Sequence, residues 1–138
     1  MINTNVWDAE KVILITNNRK AAVKYEGRLD VRVEKSYEQV LLKARDLIYD
    51  RHTLLTHPQA SSLKPNQTPV RSVLLYPYRE GDNYAAGCVL IEHTIDVFYE
   101  WQAISPAPDH YAENILSDFE TIDLSVIDNV IGRMGLFL

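Results

Sequence analysis

A chain of 138 residues, 46% of them hydrophobic, has the length of one domain and enough apolar side chains to bury a single core. Lys and Arg number 14 against 19 Asp and Glu, a formal charge of -5, which disfavours general attraction to nucleic acid or to an anionic membrane. The lone cysteine, Cys88, excludes an internal disulfide, no run has the length and apolarity of a membrane span, and the start MINTNVWDAEK lacks the basic-then-apolar order of a signal peptide, so a cytoplasmic protein is expected.

In chain order, residues 12–16 (VILIT) form a continuous apolar, β-branched run, as expected of a strand covered on both faces. Residues 19–26 (RKAAVKYE) read as a short helix closed by Gly27, which suits a left-handed C-terminal cap. In LDVRV, Leu29, Val31 and Val33 alternate with Asp30 and Arg32, the period of a strand with one face in water, at a sheet edge. Ser36 and Gln39 have capping-box spacing, and Tyr37, Val40, Leu41, Ala44, Leu47 and Ile48 then share one helical stripe, predicting a helix over 37–50. A brief strand at 53–56 and another at 70–76 (VRSVLLY) follow. Asp82 is placed to cap a helix through about 100, whose stripe of Tyr84, Cys88, Ile91, Ile95 and Phe98 faces the core despite Gly87. After the punctuation Ser105-Pro106-Ala107-Pro108, two helices are expected at about 109–119 and 124–132. The apolar end, residues 134–138 (MGLFL), should then dock on the same chain or contact another subunit in a homodimer.

This alternation predicts an α/β fold: a three-layer, Rossmann-like domain at 1–104 with a small, mainly parallel sheet ordered 2-1-3-4. A C-terminal helical extension at 105–138 would pack on the same domain. The expected topological switch lies between strands one and three, so a ligand crevice is predicted beyond their carboxyl ends. Strand one ends in Thr16-Asn17-Asn18, and strand three ends in Thr56-His57 and feeds the polar segment 57–69 (HPQASSLKPNQTP).

Pro58, Pro65 and Pro69 restrict that segment, which suits a preorganised surface. Ser61, Ser62, Asn66 and Thr68 offer hydroxyl and amide groups and Lys64 a positive charge, a set fitted to a small anion such as phosphate or a carboxylate. The candidate ligand-binding residues are therefore Asn17, Asn18, Thr56, His57, Ser62, Lys64, Asn66 and Thr68. No glycine-rich phosphate cradle accompanies them, and no cofactor is implied. The competing reading makes the loop a rigid structural plug whose polar groups bond to one another and to the strand ends. His57 with Ser61 or Ser62 has the residue types of a nucleophile and base, but neither a nucleophile elbow nor an orienting acid. His52 and His57 fall on opposite faces of an extended segment, and His93 and His110 lack ligand spacing, so no metal is expected. Tyr76, Tyr78, Trp101 and Tyr111 lie beside apolar elements, where core or rim packing is the expectation. Asn66-Gln67-Thr68 has the form of a glycosylation acceptor, which has no chemistry in a protein that is not secreted.

The stretch LLTHPQASSLKPNQTP (54–69), preceded by ARDLIYDRHT and the early LITNN, resembles the GrdX family, small proteins encoded beside glycine, sarcosine and betaine reductase components in anaerobic bacteria. The order of segments is similar from residue 11 to about 101, with Ser61 standing where the family pattern has glycine. The resemblance implies an accessory role in anaerobic amino-acid reduction, with a reductase component as a possible partner, and assigns no activity. Three readings follow: a binding protein for a small anionic metabolite, a protein-interaction module without a ligand, and a small transferase or hydrolase using His57.

Overall fold

Strand β1 (Ile13–Thr16) is buried along its whole length because both faces of the sheet are covered. The computed structural model describes residues 7–58 and 63–136. Alternation along the strands sorts the core into two layers. Ile13 and Ile15 of β1, with Val73 and Leu75, face the helices α2 (Tyr37–Tyr49) and α3 (Tyr84–Ile104). Val12 and Leu14, with Leu74 and Tyr76, face α1 (Arg19–Tyr25) and α4 (Glu113–Arg133). Each Leu or Ile so enclosed contributes roughly 1.5–3 kcal/mol relative to an exposed one.

The sheet is mixed, with order β2-β1-β4-β3, where β2 is Asp30–Val33, β3 His52–Leu54 and β4 Ser72–Pro77. β2 runs parallel to β1, while β4 runs antiparallel to both β1 and β3. This corrects the mainly parallel sheet of order 2-1-3-4. A parallel crossover needs a helix or an equally long excursion across the sheet, whereas the described residues between β3 and β4 form no helix, and the chain returns antiparallel to β3. β4 is buried on both faces except at Pro77 and takes the central place; the three half-buried residues of β3 suit an edge. The predicted edge position of β2 holds, with Val33 63% exposed.

Local signals account for most helix ends. Ser36 Oγ accepts the Gln39 N–H at 3.1 Å, starting α2. Gly27, just past α1, takes the left-handed conformation with φ of 77°. α3 is capped by Asn83, whose side chain accepts the Ala86 N–H, rather than by Asp82. Asp82 instead accepts from Thr53 Oγ1 and the Arg79 N–H. Cys88 is half-buried against the α2/α3 core.

The expected pair of C-terminal helices is one continuous helix, α4, lying against α1 and β4. Nothing between 119 and 124 breaks a helix, and the polar residues that look like an interruption, Glu120 and Asp123, are buried against partners on other elements. Met134 and Leu136 pack on the same layer, while Phe137 and Leu138 lie outside the described residues. Among the described residues no helix is long and apolar enough to cross a membrane.

Candidate functional site

The antiparallel return brings the start of β4 to the carboxyl end of β1, where Thr16 pairs with Ser72. Asn17 joins this edge to the end of the polar loop: its Nδ2 donates to Pro69 O and its Oδ1 accepts the Arg71 N–H, each at 2.8 Å. On either side of this edge the polar groups are treated in opposite ways.

Toward α1 and α4 they form a closed network. The buried Asn18 caps α1 by accepting from the Lys20 and Ala21 N–H groups, and donates to Glu120 O and Asp123 Oδ2. Asp123 also accepts the N–H and hydroxyl of Ser72. Since the Ser72 hydroxyl is committed to Asp123, the 2.6 Å contact between Thr16 and Ser72 has Thr16 as donor. Glu120 accepts the backbone N–H, Nε and Nη2 of Arg19, each at 2.9 Å. Burial pushes the Glu120 carboxyl up, but the Arg19 hydrogen bonds and charge together outweigh it and leave the group below its ordinary value. Ser72 is 4% exposed and has no histidine among its hydrogen-bond partners, so this cluster builds the fold and offers no accessible nucleophile.

Toward α2 and α3 the edge opens into a cavity of about 480 Å³, within the usual range for small-molecule sites. Its walls are Asn17, the first turn of α2 with Lys35 before it, Pro65, Thr68 and Pro69 of the loop, the last turns of α3, and the connection to α4. Gln102 braces it, donating to Pro65 O and accepting the Ala107 N–H. The charged lining groups are Lys35, Glu38 and Asp109, and the rings of Tyr37, Phe98, Tyr99 and Tyr111 supply much of the remaining surface. Tyr37 is 5% exposed, stacks on Phe98, and carries the Arg71 guanidinium 5.0 Å from its ring centre. Burial raises its phenol above the ordinary value, against the lowering effect of the Arg71 charge. The Glu38 carboxylate beside Tyr99 raises that phenol, and burial raises the phenol of Tyr111, so both remain protonated donors at neutral pH.

Of the residues singled out from sequence, Asn17 and Thr68 line this cavity. Thr68 is buried and its hydroxyl bonds Val70. Thr56 accepts the Leu74 N–H, His57 is exposed, and Ser62 lies outside the described residues. Asn66 donates to Trp101 O and Ser105 O, and Lys64 lies 4.2 Å from the centre of the Trp101 ring. The conspicuous lysine and asparagine of the loop thus cover the carboxyl end of α3, where a donor and a positive charge both oppose the helix dipole. Sequence reasoning missed Lys35, Glu38, Tyr99 and Asp109. For the first two a signal existed, since they flank the capping serine directly after β2, at another strand's carboxyl end. Tyr99 and Asp109 reach the cavity only through the packing of α3 and the 105–112 connection. Among the described residues no group of three His, Cys, Asp or Glu is arranged to hold a metal ion.

A family model described as GrdX-like protein matches residues 13–132. The match continues through α4, beyond the residues over which the loop motif and its flanks show the resemblance. No curated protein and no solved structure matches the chain.

Proposed function

Because the chain belongs to the GrdX-like protein family, we propose that it is a non-catalytic accessory protein of anaerobic amino-acid reduction that binds a small anionic metabolite. The ligand occupies the cavity between α2, α3 and the 65–69 segment, with its anionic group toward Lys35 and the amino end of α2. The observation that carries this reading is the cavity itself, an open space with mixed polar and aromatic lining beside an edge whose network toward α4 is closed. The N–H groups of the first helical turn have no intrahelical acceptors, and Ser36 satisfies that of Gln39. Arg71, buried behind Tyr37, packs on that ring and holds the first turn of α2 in place. Asn17 and Thr68 shape the wall, while Lys64 and Asn66 hold the loop against α3. An enzymatic role through His57 is disfavoured, since His57 is not among the residues lining the cavity.

The test is thermal unfolding of the wild type and Lys35→Ala against acetate and phosphate. A ligand at about one hundred times its dissociation constant stabilises the folded state by roughly 2.7 kcal/mol. The expected result is a rise in melting temperature for the wild type that Lys35→Ala reduces. A shift of equal size in both proteins would remove Lys35 from the site. No shift with either anion would favour the alternative, a module that contacts a reductase component or a second copy of the chain.

A further inference from the structure

Both signs of charge border the cavity. Among the described residues that line it, the carboxylates Glu38 and Asp109 stand with the ammonium of Lys35. A ligand carrying only negative charge would gain from Lys35 and the amino end of α2 and lose to both acids; a simple cation would meet the reverse. The apolar share of the wall is also chemically particular, because Tyr99, Tyr111 and Phe98 present aromatic rings, whose faces attract ammonium groups.

We propose that the ligand is a small zwitterion, its carboxylate held toward Lys35 and the first turn of α2 and its ammonium held by Glu38, Asp109 and the rings of Tyr99 and Tyr111. This rests on the cavity reading above and narrows it. Two features of the packing support the division of roles. Arg71, 2% exposed, packs 5.0 Å from the centre of the Tyr37 ring and so fixes the first turn of α2 from behind. Asp109 belongs to the connection between α3 and α4, which Gln102 ties to α3 through the Ala107 N–H, so the negative group is brought to the cavity by a braced segment.

Calorimetric titration with three kinds of probe separates the possibilities: acetate as anion alone, tetramethylammonium as cation alone, and glycine and trimethylammonioacetate as zwitterions. The expected result is that one of the zwitterions binds at least tenfold more tightly than either single-charge probe. Asp109→Asn and Glu38→Gln should each weaken that zwitterion severalfold while leaving acetate binding unchanged or improved, and circular dichroism of both variants should match the wild type. If acetate binds as tightly as both zwitterions and neither substitution affects zwitterion affinity, the zwitterion is wrong and the anion site stands. If none of the probes binds the wild type, the cavity reading fails and the inference with it.

Discussion

The two sides of the sheet's carboxyl edge use the same kinds of residue for different ends. Between the edge and α4, Thr16, Asn18, Ser72, Glu120 and Asp123 are buried and bonded to one another or to Arg19. Between the edge and α2 and α3, Lys35, Glu38, Asp109, Tyr99 and Tyr111 line open space. Polar residues at a strand end are therefore not in themselves a site. A buried hydrogen-bonded set holds an element in place, because losing one partner leaves several desolvated groups without compensation. A set that borders a cavity is partly bonded, as Asn17, Thr68 and Gln102 are, and partly turned to open space.

The sharpest way to break this contrast is Asp123→Ala. It strips the Ser72 N–H and hydroxyl and Asn18 Nδ2 of a shared acceptor, and stability should fall by about 3 kcal/mol in urea denaturation. A loss below about 1 kcal/mol would mean that the network does not anchor α4. Glu120→Gln is the next largest, at roughly 1–2 kcal/mol at neutral pH, since it weakens the Arg19 pairing but keeps the volume. Because the folded Glu120 carboxyl lies below its ordinary value of 4.5, its contribution is present above that pH and lost as pH falls through the folded value. The gap between wild type and variant should accordingly close under acid, which melting curves at several pH values would show. The smallest effect is Lys64→Ala. Removing the exposed cation over Trp101 should lower stability by about 0.5 kcal/mol and leave affinity for any cavity ligand unchanged. A tenfold loss of binding in that variant would return Lys64 from the loop's anchorage to the site.

How much of this was legible in the sequence varies by element. Helix α2 was plain from its stripe and capping serine, and β1 from its unbroken apolar run, because both signals are local. The extent of α4 was hidden, since Glu120 and Asp123 look like surface residues until Arg19, Asn18 and Ser72 are brought against them. The place of β4 was legible in principle: its VLLY run, residues 73–76, is as apolar as β1 and equally central. Its direction was not, because strand alternation says nothing of how the connection from β3 returns. The candidate site was found only at its margin, through Asn17 and Thr68, because attention to the most distinctive motif led to residues that anchor the loop.

Composition and periodicity alone determined a single α/β core, the faces of its helices and the polar character of its strand ends, since each depends on the spacing of apolar and capping residues along the chain. The tertiary structure alone decided which strand ends became sealed and which became a cavity. That depends on the antiparallel insertion of β4 and on where α4 and the 105–112 connection come to rest, and these are set by contacts between residues far apart in the chain.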